Sequence, residues 1–413
     1  SIPEPNGLAI RTPLGLIWHT GDWKIDPDPL IGETTDEAKL RAMADEGVLA
    51  MICDSTNVFV EGTAGSEAEV RKKLTDVIKQ CTGRVAVTAF ASNVARVETA
   101  LYAARAAGRT PCLVGRSMIR IYNAAKSVGL LQDAPAVIDE DDAGSLPDQN
   151  ILFLCTGSQG EPRAALSRIA RGEHRNVALR QGDTVIFSSR VIPGNEAAIH
   201  ALHNQFLERG VELITADEEH LIHVSGHPCR DEIIDMLGWV RPQLVVPVHG
   251  ERMMLEAQAE LARACQVPLT IVPQNGSVVC LGPGEAQTID HIETGLLAVE
   301  PSRIVDAAHP AIGERRKLQF GGAVHITIAM SGKGEVLKAP QVSALGLLDS
   351  EDEDDTLFAR DLADEIADII ADLPAEERRR DDAVAEDVRV AVRRIVDDVL
   401  GFKPKVTVHV VRV

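Results

Sequence analysis

Apolar positions recur along this chain with two alternating periods. Leu8 to Thr12 and Leu16 to Thr20 read as short strands around a turn at Pro13 to Gly15, and predict a hairpin that runs into Gly21 and Asp22. A short helix is expected at 36–46, then the buried strand Val48 to Cys53, which ends in Asp54. Helices are expected at about 67–81 and 94–107, with strands at 84–88 and 111–114. Further apolar runs predict strands at 151–155, 184–188, 212–215 and 244–248, with a helix at 230–238 before the last. Strands end in polar loops: Phe90 to Asn93, Thr156 to Pro162, Ser189 to Asn195, and His249 to Glu251. Such alternation predicts an α/β fold with largely parallel sheets, whose chemistry gathers at the carboxyl ends of the strands.

The pattern then changes. Residues 268–292 are expected to be β-rich, with a turn at Asn275 and Gly276, and 301–322 to be a connector. The tail predicts a small α+β module. It has strands at 323–330 and 335–338, a solvated acidic loop from Asp349 to Asp355, helices at 356–373 and 382–400, and a last strand from Lys405 to Arg412.

Composition narrows the class. At ~150 residues per domain, 413 residues suggest two or three domains. Charged residues make up 25% and no apolar run is long enough to span a membrane, which excludes a membrane protein and a disordered chain. With only 8 Phe, 3 Trp and 2 Tyr, the cores must rest on aliphatic side chains. The net charge of −20 excludes a histone-like basic binder. About half of it falls in 349–413, where 19 acidic side chains oppose 10 basic ones, so it does not exclude nucleic acid from a local groove elsewhere. Seven scattered cysteines without a C-x-x-C suit free thiols in a reducing cytoplasm.

The candidate chemistry lies at strand ends. Asp22 and Asp54 each close a strand, and His249 follows a third. His223, Ser225 and His227 surround Gly226, whose freedom permits a tight turn that lets side chains converge on an anion or a metal. Two carboxylates and two or three histidines so placed suit a divalent metal with hydrolytic chemistry. Thr156 to Pro162 is rich in glycine but is no Walker motif. It reads either as a tight strand–helix connection or as a phosphate-facing loop. His200 and His203 share a helix face and read as a solvated or half-buried pair.

Eight motifs follow one another in a fixed order: HTGDWK at 19–24, CDSTN at 53–57, FASN at 90–93 and GRSM at 115–118, then TGSQGEP at 156–162, SRVIPGNE at 189–196, HVSGH at 223–227 and PVHGE at 247–251. Together they resemble the ribonuclease J family, metallo-β-lactamase-fold nucleases with an inserted β-CASP domain. The resemblance covers essentially the whole chain. It implies an αββα metallo-β-lactamase domain in part, from segments 1–66 and 232–300, a β-CASP domain at 67–231, a linker at 301–322 and a C-terminal α+β domain at 323–413.

The resemblance also implies roles. Asp22 matches the metal-bridging carboxylate and His249 a metal ligand. Asp54 and His227 match the acidic residue and the histidine of the β-CASP motifs, with His227 at the scissile phosphate. His223, Val224, Ser225 and Gly226 match the RNA phosphate pocket, and Ser92 and Asn93 its other wall, where a 5′-monophosphate sits. Ala95 stands where many relatives carry histidine.

The implied activity is that of a cytoplasmic ribonuclease using two divalent ions, zinc first and manganese or magnesium as alternatives. Its substrate is single-stranded RNA, cut from 5′ to 3′ from a monophosphorylated end and also internally. Homodimers or homotetramers are expected. The family's His-x-His-x-Asp-His motif is absent from these 413 residues, and relatives carry a ligand histidine directly before the segment matching Ser1, Ile2 and Pro3. The chain is therefore expected to be the C-terminal part of a longer enzyme and inactive alone. A non-catalytic RNA-binding or assembly module is the alternative. A β-CASP nuclease for DNA or pre-mRNA ends fits the middle motifs less well.

Overall fold

The computed structural model describes residues 5–216, 221–349 and 351–413. Ser1, Ile2, Pro3, His220 and Ser350 lie outside them. The chain forms two compact units, Ser1–Ile292 and Glu293–Val413.

The first unit holds two five-stranded sheets. One is wholly parallel, in the order Thr110–Val114, Ile151–Cys155, Val85–Thr88, Thr184–Phe187, Glu212–Thr215. Its three central strands are buried at every position. That explains why they read as unbroken apolar runs: helices cover both faces of such a sheet. The other sheet begins with the antiparallel pair Leu8–Thr12 and Gly15–His19. Val48–Asp54, Leu244–Val248 and Leu269–Thr270 then add in parallel. The parallel sheet is thus an insertion between two neighbouring strands, Val48–Asp54 and Leu244–Val248. Both strands end at one edge, and that edge carries Asp54 and His249.

Three helices that apolar periodicity did not single out complete this unit, Arg116–Ser127, Ala165–Arg171 and Arg252–Ala264. Helix Arg230–Val240 opens with Glu232, a buried carboxylate that accepts N–H bonds from Ile25, Ala64 and Cys229 at 2.7–2.8 Å. One side chain thereby ties three loops together. The Thr156 to Pro162 loop behaves as the tight connection. Gly157 sits at φ 120°, and a Cβ there would lie 2.8 Å from that of Ala164. Gln159 is spent on the neighbouring loop, bonding Arg190 O and the Ile192 N–H at 3.0 Å.

The second unit has a three-stranded sheet with Ala323–Met330 in the middle, antiparallel to Gln341–Leu345 and parallel to Lys405–Arg412. Helices Glu353–Asp372 and Asp381–Leu400 cover it. Val384, Val388, Val392 and Val396, four residues apart, bury one stripe of the latter. Three expectations are corrected here. The connector at 301–322 contains a strand, Arg303–Asp306, and a helix, Pro310–Gly321. The helix starts because His309 caps Ala311 N and Pro310 has no N–H to satisfy. The strand expected at 335–338 is only an isolated bridge, Met330 to Val336. Ser331 Oγ accepts the N–H groups of Lys333 and Glu335 and holds a turn there, so the edge strand forms later. The acidic run is not simply a solvated loop. Asp352 caps the N–H groups of Asp354 and Asp355, and three acidic residues lie in the first turn, where the helix dipole favours negative charge.

Candidate metal and phosphate site

Asp22, Asp54, His227 and His249 converge at the edge of the mixed sheet. Each offers one donor atom, and these atoms all lie within 4.8 Å of one another. His249 Nδ1 is 3.1 Å from Asp22 Oδ1 and 3.5 Å from Asp54 Oδ1, and His227 Nδ1 is 2.7 Å from Asp54 Oδ2. The two imidazoles stand edge to face at 5.1 Å. The four side chains surround a space that suits one divalent cation, with His249 beside Asp22 and His227 held through Nδ1 by Asp54. The strand ends alone suggest two carboxylates and two or three histidines around a metal, and the family resemblance assigns the metal to Asp22 and His249; folding brings Asp22, Asp54, His227 and His249 together.

The loop after Val48–Asp54 builds this arrangement residue by residue. Cys53 is buried, and burial followed by the Asp54 charge pushes its thiol up to about 12, so it stays protonated at neutral pH. Asp54 is wholly buried and accepts the Thr56 N–H at 2.9 Å. The Thr56 hydroxyl lies 2.7 Å from Asp54 Oδ1 and 3.0 Å from the His249 carbonyl, so one proton serves two acceptors. His249 needs such support, because its φ of 57° is left-handed, which costs a non-glycine residue of order 1–3 kcal/mol. Asn57 donates to Ser225 Oγ at 2.7 Å and to His227 O at 3.2 Å. Ser225 Oγ also accepts the His227 N–H at 3.1 Å. Among the described residues the Ser225 proton has no acceptor, so it is free for a ligand.

Behind the loop lies a buried network that motif reading missed. Arg96, wholly buried, forks onto both oxygens of Glu67 at 2.9–3.1 Å. Its other arm donates to Ser188 O, Ser188 Oγ and Ile222 O, and reaches His223 Nδ1 at 3.2 Å. A guanidinium can only donate, so Nδ1 of His223 must accept and Nε2 must carry the proton. Burial, then the Arg96 charge, pushes His223 down to about 3. It is therefore a neutral donor at pH 7.

Asn93 is the N-cap of helix Val94–Ala106, with Oδ1 accepting the Arg96 N–H at 3.0 Å and Nδ2 lying 3.5 Å from Glu67. Its side chain is committed to the helix start, while Ser92 beside it is exposed. Val224 is buried, and Asn93, Ala95 and Gly226 line one cavity of about 850 Å³ with Asp22 and Lys24. Thr56, Asn57, Glu67 and Arg96 were not singled out. The first two lie inside the CDSTN motif, whereas no periodicity signals a pairing of Glu67 with Arg96.

The inserted parallel sheet and the donor cluster at the neighbouring strand ends define an α/β protein of the metallo-hydrolase kind. Comparison with known proteins agrees. Residues 82–206 match the ribonuclease J beta-CASP domain, 214–268 the Zn-dependent metallo-hydrolase RNA specificity domain, and 310–413 the ribonuclease J C-terminal domain. Ribonuclease J of Sinorhizobium meliloti is 44% identical over 417 aligned residues, which span 100% of this chain and 73% of that protein. Those of Corynebacterium glutamicum and Synechocystis are 40% and 38% identical, over 85% and 84% of this chain and 49% and 54% of theirs. The chain belongs to the ribonuclease J family. It spans about half the length of the latter two relatives.

Proposed function

We propose that this chain supplies a metal-binding edge and the phosphate seat of a metal-dependent ribonuclease that acts on single-stranded RNA. The observation that carries this reading is the four-donor cluster beside the free Ser225 hydroxyl. Asp22 and His249 would hold a cation, with Asp54 and His227 completing its surroundings. A bound divalent ion, zinc first and manganese or magnesium as substitutes, supplies positive charge where the phosphodiester gains negative charge. The complete family enzyme takes two such ions.

The protein's own groups do the rest. Asp54 accepts from Nδ1 of His227 and so leaves Nε2 as the atom that meets the scissile phosphate, as acceptor or proton donor. His223 offers Nε2–H and Ser225 its O–H to phosphate oxygens, with the backbone of 224–226 behind them and Ser92 opposite. A seat that accepts a 5′-monophosphate gives 5′-to-3′ processing, and RNA lying along the same groove is cut internally. Contacts through phosphate and 2′-hydroxyl carry little sequence preference.

Expressed as these 413 residues alone, the chain turns RNA over slowly or not at all, because the donors at this edge suit at most one ion and the His-x-His-x-Asp-His set is absent. The second reading is a non-catalytic RNA-binding or assembly module. Metal content and turnover of a 5′-monophosphorylated RNA test both. One bound ion with little turnover is expected, and robust chelator-sensitive cleavage would overturn the inactivity. Failure to take up zinc or manganese and to bind RNA would overturn the whole reading. Homodimers or homotetramers in the cytoplasm complete the proposal. No helix among the described residues is long and apolar enough to cross a membrane.

A further inference from the structure

The second unit is acidic, yet one pocket in it is not. Residues 293–413 carry 24 acidic and 16 basic side chains, a net of −8. A pocket of about 710 Å³ is nevertheless lined by six cations and a single carboxylate, Glu314. The cations come from three places in the chain: helix Pro310–Gly321, helix Asp381–Leu400, and Lys403 and Lys405 at the entry to strand Lys405–Arg412. Glu314 is taken by Lys405 at 3.2 Å. Arg389 pairs with Glu386 and Lys403 with Asp397 at 3.3 Å. Among the described residues, the side chains of Arg316, Lys317 and Arg393 form no ion pair or hydrogen bond. Gathering unpaired like charge in an acidic domain is unfavourable unless an anion occupies the space between.

Two exposed aromatics line the same pocket. Phe320 is 82% exposed and Phe402 39%, in a chain with only 8 Phe. Helix Pro310–Gly321 buries none of its residues, so Phe320 contributes nothing to a core. Cations that neutralise phosphates beside rings that stack bases are what a single strand of nucleic acid binds. An acidic protein surface would use the charges but leave the rings in water.

We propose that this pocket of the second unit is a binding site for single-stranded RNA. Arg316, Lys317 and Arg393 contact phosphates, and Phe320 and Phe402 offer faces to unstacked bases. The site lies wholly within residues 314–406 and uses none of the metal or phosphate groups of the first unit. It rests on the reading of the chain as an RNA-processing protein, and it adds a second place where a substrate strand is held.

The test uses the full chain with EDTA and a fluorescent 5′-hydroxyl oligouridylate carrying 4-thiouridine. Anisotropy against salt measures phosphate contacts, and photocrosslinking maps them. The triple variant Arg316→Gln, Lys317→Gln, Arg393→Gln is expected to flatten the log–log salt slope by about 2, at ~0.7 per phosphate contact. Phe320→Ala is expected to weaken binding about tenfold. Crosslinks should fall within 316–320 and 402–405, and thermal midpoints should not change, since these side chains are exposed. Unchanged binding in both variants, with crosslinks confined to the first unit, overturns this site and leaves the proposed function standing. No binding by the parent chain overturns both. Loss of self-association in the triple variant with RNA binding intact assigns the pocket to a second copy and overturns the proposal.

Discussion

Replacing Arg96 with methionine removes the most connected side chain near the candidate site. The substitution leaves Glu67, with 11% of its side chain exposed, facing only Asn93 Nδ2 at 3.5 Å. It also strips a donor from Ser188 O and from His223 Nδ1. Ile222 O keeps the Ser188 hydroxyl at 2.6 Å. Breaking a buried pair from one side costs about 3–5 kcal/mol, mostly the penalty of an uncompensated charge. Removing Glu67 as well, in Arg96→Met/Glu67→Leu, takes away that charge. The double variant should therefore be less destabilised than the sum, and its residual cost should be about 1–3 kcal/mol for the orphaned Ser188 carbonyl. Global unfolding of a chain with two units is not two-state, so a local probe is needed. Hydrogen exchange of peptides covering 184–188 and 221–224 reports the opening of the strand and the loop that Arg96 holds. Arg96→Met should speed it by about 10²–10⁴-fold, at one decade per ~1.4 kcal/mol. Exchange within about threefold of the parent would refute the claim that this network holds the His223 wall in place.

Other consequences are as concrete. His223 binds its proton far less readily folded than unfolded, so the unfolded state holds more protons between about pH 6.5 and the folded value of about 3. Stability should fall as pH drops through that window, by up to about 1.4 kcal/mol per unit, and His223→Asn, which keeps an acceptor for Arg96, should remove this slope in acid denaturation. Metal affinity should drop at least tenfold in His249→Ala and Asp22→Ala, measured by titration with zinc. His227→Ala should leave more affinity if its main task is at the phosphate, and equal losses in all three would make His227 a full ligand. Glu232→Leu should loosen the loops that begin at Ile25 and Ala64 together, seen as joint loss of exchange protection, because one carboxylate serves both.

The strand ends were legible because each buried strand is a short apolar run that stops at a polar loop, and the motifs sit in those loops. That placed Asp22, Asp54, His227 and His249 near one another before any geometry was known. Which histidines join the two carboxylates was not legible from the strand ends, since it depends on how Val48–Asp54 and Leu244–Val248 align and on where the 223–227 loop folds. The helix Pro310–Gly321 was missed because it has no apolar face to show a period. The strand at 335–338 was overread because alternation there competes with a Ser331 turn. Buried polar pairings such as Arg96 with Glu67 leave no trace in periodicity, because they join residues 29 positions apart through the packing of two helices.

The most direct test is anomalous diffraction at the zinc edge from crystals of this chain grown with zinc. The expected result is a peak bounded by Asp22, Asp54, His227 and His249 that vanishes in His249→Ala. Zinc bound elsewhere, or no peak at a concentration that saturates the parent in titration, would contradict a metal centre at these strand ends.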